Sequence, residues 1–260
     1  MLWVGLSTAA QAQDKDWSAL PYQDGEILKY DVYYNWGLIW VPAGEVIFQV
    51  IEHDNHIEFD VTGRSYSSYD SMFKVRDYYT SEVDKTTMYP MNFRRDVLEG
   101  NYERFDSIRF DQEGGTLVEY FGKTRQSAKM FKFDIKDKVH DMVSAIYNIR
   151  EQRYENFNNG DQIPIDIFFD KELFEIEVQY NGIKRKKIKR LGKVNAYHLQ
   201  PELIDGYVFS KGDIMDIWVS TDGNHIPLMI ESPISIGSVK AILSGVTHTK
   251  HSNNKLPDSP

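Results

Sequence analysis

The sequence predicts an all-β protein: a large antiparallel meander, curled or closed into a barrel of about twelve strands, carrying one amphipathic helix. Three observations predict it. Short runs of alternating residues recur along the chain, separated by Gly, Pro, Asn and Asp clusters. Aromatic residues reach 13 %, with 16 Tyr and 14 Phe, and these suit the pleated, half-buried surface of a strand. No strand–helix–strand alternation appears, which argues against a parallel α/β sheet.

Residues Leu2 to Ala12 are uncharged and end in Ala10-Gln11-Ala12, the small-x-small pattern of a signal-peptidase site, although no basic residue precedes them. The expected organisation is a signal peptide over 1–12, an arm over 13–21, a single barrel-like domain over 22–249 and a disordered tail over 250–260. The first strand is Ile27–Tyr34, followed by Leu38–Glu52, with a bulge or bend at Pro42-Ala43-Gly44. A turn over His53–His56 leads into Ile57–Tyr66. Strands Phe73–Val83, Asn92–Leu98 and Tyr102–Phe110 follow, then an Asp111–Gly115 turn, Thr116–Phe121 and Ala128–Phe133.

Val139–Arg153 breaks the pattern. Met142, Val143, Ala145, Ile146 and Ile149 fall on one helical face, Asp141 is placed to cap the start, and Arg150 and Arg153 sit in the last turn. Strands resume at Ile163–Phe169. Asn181-Gly182 then predicts a hairpin turn between Phe174–Tyr180 and Ile183–Arg190. Val194–Pro201, Asp213–Ser220, His225–Ser232 and Ser235–Gly245 complete the series.

Net charge is −9, so phosphate backbones repel the chain and nucleic acid is not expected as a partner. The absence of cysteine excludes disulfides, thiol nucleophiles, zinc–thiolate centres and a lipid-modified N-terminal Cys. No segment approaches about 18 consecutive apolar residues, so no transmembrane helix is expected.

A set of short motifs resembles a family of exported bacterial proteins that carry a domain of unknown function. The matching pieces begin with Gly25-Glu26-Ile27-Leu28-Lys29-Tyr30, the Pro42-Ala43-Gly44-Glu45 bend, and Glu99-Gly100 after Arg94. They continue with Asp141 to Arg150, Trp218-Val219-Ser220-Thr221-Asp222, Ile226-Pro227-Leu228, and Gly237-Ser238-Val239-Lys240-Ala241. The resemblance implies a large antiparallel meander barrel similar to the YmcC-like fold of a capsule-associated lipoprotein. This chain lacks that lipoprotein's N-terminal Cys, so lipid anchoring does not carry over. The family brings no established activity.

No catalytic motif is present: there is no G-x-S-x-G elbow, no phosphate-cradling Gly-rich loop and no H-E-x-x-H. His53/His56 and His248/His251 have a spacing that suits zinc only if a third ligand converges. They read as turn and tail histidines, and neither a metal nor a cofactor is expected. Acidic pairs, Asp106 with Asp111, Glu175 with Glu177 and Asp213 with Asp216, offer the two carboxyls a glycosidase needs, but the simpler account has Glu177 facing Lys186 across the predicted hairpin as a cross-strand charge pair. Lys184, Arg185, Lys186 and Lys187 form a basic run, read first as a solvated edge strand and second as an anion-binding surface. Trp36, Trp40 and Tyr66, with inward-pointing Arg64, Arg94 and Arg150, are the candidate ligand-binding residues. Each buried Arg needs a carboxylate, with Asp77 or Asp141 available.

The expectation is a periplasmic or otherwise exported, non-enzymatic envelope protein that binds a partner protein, glycan or lipid. A lumenal carrier of a lipid-like ligand is the second reading, and a hydrolase of envelope polymers the third. No pattern in the chain sets an oligomeric state.

Overall fold

A computed structural model describes residues 15–36, 39–202, 214–233 and 237–252. The expected signal peptide, Gln13, Asp14 and residues 253–260 lie outside these, as does the side chain of Trp36.

The strands are β1 (Ile27–Trp36), β2 (Ile39–Glu52), β3 (His56–Ser65), β4 (Val75–Asp84), β5 (Pro90–Glu99), β6 (Tyr102–Asp111) and β7 (Thr116–Gly122). Then come β8 (Lys129–Asp134), helix α1 (Met142–Arg150), β9 (Gln162–Phe169), β10 (Glu172–Ile188), β11 (Gly192–Pro201), β12 (Asp216–Ser220), β13 (Pro227–Pro233) and β14 (Ser238–Thr247). All pair antiparallel in one 14-stranded sheet ordered β8 back to β1, then β14 back to β9. Chain neighbours are therefore sheet neighbours everywhere except at one join and one gap. The join is β1 to β14; the gap lies between β8 and β9, which end the sheet. The sheet curls without closing. A wide sheet curls because each strand twists relative to the next.

The helix is inserted in the chain at that gap and packs against β3 and β4 on one side and β9 on the other. Its N-cap Asp141 accepts from Val143 N and Ser144 N (2.8 and 2.9 Å) and from Ser81 Oγ on β4 (2.6 Å). Burial pushes the Asp141 carboxyl up to about 6, against those bonds. Val143 and Tyr147 pack with Phe59 and Val61 of β3 and with Val83 and Phe93, and the Tyr147 ring stacks on Phe59 at 3.6 Å. Ala145 and Ile149 face Ile163, Ile165, Val178, Leu199 and Val219 on the other wall. Tyr154 Oη donates to Ile149 O (2.7 Å), so a downstream side chain satisfies a terminal carbonyl. The helix is thus nine residues long, shorter at both ends than the predicted Val139–Arg153.

The Pro42–Gly44 irregularity is a register shift against β1, between Val32 and Tyr33. A Cβ on Gly44 would lie 2.3 Å from Arg64 O, so the close approach of β2 and β3 requires glycine. Asn181-Gly182 is not a hairpin turn. Seventeen residues run as one strand, β10, and the pair forms a bulge against β11. Gly182 supplies the left-handed backbone (φ 73°), while Asn181 Nδ2 donates to Gln200 Oε1 (2.9 Å). Glu177 consequently faces Pro164 of β9, not Lys186.

Of the expected arm, Lys15 pairs with Glu151, and Lys15 N donates to Thr86 O (2.6 Å). At the other end, His251 N donates to Asn224 Oδ1 (2.8 Å) and Lys250 Nζ to Leu20 O (2.6 Å).

Candidate functional site

Side-chain alternation assigns each residue of β4 to β7 to one face of the sheet. Pairing places Val83, Ser81, Tyr79 and Asp77 of β4 opposite Pro90, Phe93, Arg95 and Val97 of β5. In turn Phe93 and Arg95 face Ile108 and Asp106 of β6, and Ile108 faces Glu119 of β7. The inner face is apolar at Phe93, Ile108, Phe110 and Leu117, where it meets α1. Further along the same strands it becomes charged: Asp77, Arg95, Asp106 and Glu119 are all buried.

This charged patch is only partly satisfied. Arg95 Nη2 reaches Asp106 Oδ2 at 3.3 Å and also pairs with Asp170 from the β9–β10 turn. Arg95 Nε, Asp106 Oδ1 and both Glu119 oxygens have no ordinary donor or acceptor. The two carboxyls interact, so ionising one disfavours ionising the other. Burial raises both above the usual carboxylate range, and for Glu119 the neighbouring Asp106 charge adds to it. A second acidic pair adjoins the first: burial and then Glu99 push Asp77 up to about 7.

Phenyl rings and cations surround the patch. Arg95 lies 4.5 Å from the Phe169 centroid, Arg104 4.2 Å from Phe121, and Lys171 Nζ 4.6 Å from Phe121 and 5.5 Å from Phe131. Asp170 and Lys171 form the two-residue tip between β9 and β10, and both have positive φ (49° and 69°). A tip of this geometry favours Asn-Gly, yet here its side chains reach from β9 to β5 and β7. The tip therefore spans the gap between β8 and β9.

Most of the sequence-selected residues stand elsewhere. Arg94 is exposed on the outer face beside Asp96, and Arg64 is exposed beside Glu45. Neither points inward, because each is one residue out of phase with the buried set. Arg150 is buried, but its partner is Glu26 (2.6 and 3.0 Å) rather than Asp77 or Asp141, and it also donates to Asn224 O (3.0 Å). Tyr66 is half-buried, and Trp40 packs near Tyr33 with Lys240 Nζ 3.9 Å from its ring.

The basic run is divided between contacts within the sheet and solvent. Lys184 Nζ meets His198 Nδ1 (3.1 Å), Lys186 lies over Trp218 (4.5 Å), Ile188 joins the Trp218–Met229–Ile242 cluster, and Arg190 pairs with Asp31 (2.7 Å). Arg185 and Lys187 are exposed. The sequence signal that locates the patch is phase: Arg95 alternates with Phe93 and Val97, and Glu119 with Leu117 and Phe121.

Two open clefts, of about 580 and 410 Å³, flank the C-terminal end of α1. They share Gln152 and Phe157, and neither borders Asp106 or Glu119.

A family model matches residues 29–244. The chain belongs to the DUF3108 family. That family is described as protein of unknown function, so membership fixes kinship and not activity. No curated protein matches. Among solved structures, this DUF3108 chain is similar to a β-barrel-like protein of the domain of unknown function DUF1849 from Brucella abortus. The identity is 9 %, the TM-score 0.59, and 89 % of this chain and 100 % of that chain are covered. That likeness supports the barrel-like fold alone. The Bacteroides fragilis protein described as exported, with a YmcC-like fold, gives 12 % identity and a TM-score of 0.33 over 88 % of this chain and 98 % of its own. No helix among the described residues is long and apolar enough to cross a membrane.

Proposed function

We propose that this chain is an exported, non-enzymatic protein of the cell envelope that binds a hydroxyl-rich glycan at the β8–β9 gap. In this reading residues 1–12 are a cleaved leader and 22–249 act as one barrel-like unit. The observation that carries the proposal is the Asp106–Glu119 pair. Asp106 Oδ1 and both Glu119 oxygens lack a donor, three acceptors against the single Arg95 Nε that lacks an acceptor. The surplus is of acceptors, so the complementary ligand brings donors. Sugar hydroxyls do, and aromatic faces beside them suit a glycan ring. An anionic headgroup would meet carboxylates.

Buried, under-satisfied charge costs stability, and such sites concentrate where a protein binds or reacts. Access runs past the tip at Asp170, whose side chain is 38 % exposed. A lumenal lipid carrier needs an apolar cavity of at least about 300 Å³; here the buried face of α1 packs against both walls of the sheet. The hydrolase reading draws support from the converging carboxyls. Against it, a glycosidase needs them roughly 5–9.5 Å apart with water between, and these interact directly with one another.

Native mass spectrometry of protein released gently from its host, followed by a glycan array, tests the proposal. A glycan adduct or array signal that disappears in the Asp106→Asn/Glu119→Gln double variant is the expected result. A bare mass together with a blank array contradicts it, and turnover of an envelope polymer abolished by the same variant moves the assignment to the hydrolase.

A further inference from the structure

The β2–β3 turn lies at the other end of the strands from the charged patch: His56 pairs with Asp84, whereas Asp77 pairs with Gly63. His53 N donates to His56 O (2.9 Å), closing a tight turn that brings the two imidazoles into a stack at 4.3 Å and 12°. Glu58 follows two residues later on β3 and so points to the same side as His56. Its Oε2 stands 3.4 Å from His53 Nε2, and one ligating atom from each of the three side chains lies within 4.8 Å of the other two. This is the third ligand that the H-x-x-H spacing requires.

Three further details support a cation there. His53 Nε2 is sealed from solvent and has no hydrogen-bond partner; the Glu58 carboxylate is the charge it faces. Asn55 Oδ1 accepts from His56 Nδ1 (2.9 Å), which orients that ring and leaves Nε2 as its lone-pair nitrogen. Finally, Glu58 faces Glu82 directly across β3 and β4, a like-charge pairing that is unfavourable in a sheet. The nearby Lys85 is engaged by Glu52 and Asp54 O (2.8 and 3.3 Å), so among the described residues no Lys or Arg pairs with Glu58. His248 and His251 share the spacing without this convergence: His248 packs on Gly25 and His251 on Gly223.

We propose that His53, His56 and Glu58 form a three-ligand site for a divalent metal of the zinc class, with a fourth position open to water. Two imidazoles and a carboxylate suit zinc and its transition-metal neighbours, whereas calcium and magnesium prefer all-oxygen sets. The site is independent of the glycan reading and stands or falls without it.

Isothermal titration of tag-free full-length protein with Zn²⁺, with Mg²⁺ and Ca²⁺ as controls, is the test. The expected result is about one equivalent of Zn²⁺ bound, with Co²⁺ substitution giving the intense visible bands of a tetrahedral centre. His53→Ala, His56→Ala and Glu58→Gln should each weaken binding at least about tenfold, and Asn55→Ala by less. All four side chains lie on a surface hairpin, and unchanged circular dichroism and melting of the apo-variants confirm that the fold is kept. Zn²⁺ binding equal in wild type and in the His53→Ala/His56→Ala double variant overturns the site, as does no binding at all.

Discussion

Two buried arginines occupy the interior of one curled sheet and are treated in opposite ways. Arg150, at the end of α1, is held by both oxygens of Glu26, by Asn224 O, and by Tyr22 and Tyr147 rings 5.1 and 5.4 Å away. Glu26 and Arg150 are 0 % and 1 % exposed, and no polar atom of either is left without a partner. Arg95, on β5, has one long bond to Asp106, one bond to a half-exposed turn residue, and an orphaned Nε beside an orphaned carboxyl pair. A satisfied charge pair fixes a unique packing; an unsatisfied one is a standing cost that the fold tolerates. The first joins helix to sheet. The second lies on β5, where Asp170 of the β9–β10 tip reaches it across the gap.

Breaking the satisfied pair has the largest expected effect. Glu26→Gln strands the Arg150 charge in the core and should lower stability by about 3–5 kcal/mol, read by urea unfolding. Equal stability in the variant would dissolve the contrast between the two arginines.

The unsatisfied patch predicts an unusual pH dependence. Glu119, Asp106 and Asp77 have carboxyls raised by burial, Asp77 to about 7. In the unfolded chain these groups lose their protons near pH 4. Between the two values the folded state binds more protons, so stability falls as pH rises through the folded values. Burial lowers His140 to about 3, which opposes this trend only below about pH 6.5. Thermal unfolding should therefore show a loss of roughly 1–3 kcal/mol between pH 6.5 and 8.5. A flat or rising profile there would mean that the carboxyls ionise freely.

Two smaller effects sharpen the comparison. Asp170→Asn removes a half-exposed partner of Arg95 and should cost under about 1 kcal/mol. It should also speed amide exchange in β8 and β9 while leaving exchange in β3 unchanged. Arg64→Ala and Arg94→Ala remove outer-face charges and should stay within about 0.5 kcal/mol of wild type, with ligand binding unaltered.

The meander was legible because alternation and turn residues are local signals, and the cap at Asp141 was legible for the same reason. What escaped the sequence depended on partners far along the chain. Asn181-Gly182 carries the same local signature in a bulge as in a hairpin, and pairing with Gln200 and β11 selects the bulge. Arg94 and Arg95 are adjacent, so choosing between them needs the strand's phase, which Phe93 and Val97 supply. Glu119 stands alone between Val118 and Tyr120, and its partner Asp106 becomes visible only when β6 and β7 are in register. Glu26 as the mate of Arg150, 124 residues apart in the chain, is settled by three-dimensional packing alone.

We infer that the Arg95–Asp106–Glu119 patch serves binding and not stability. Thermal unfolding of the Asp106→Asn/Glu119→Gln double variant at pH 8 tests it most directly. The amides remove the ionisation cost and keep the shape, so the variant should melt several degrees above wild type, by about 2–8 °C. A variant that melts well below wild type would make the patch a structural network like Glu26–Arg150 and would contradict the account.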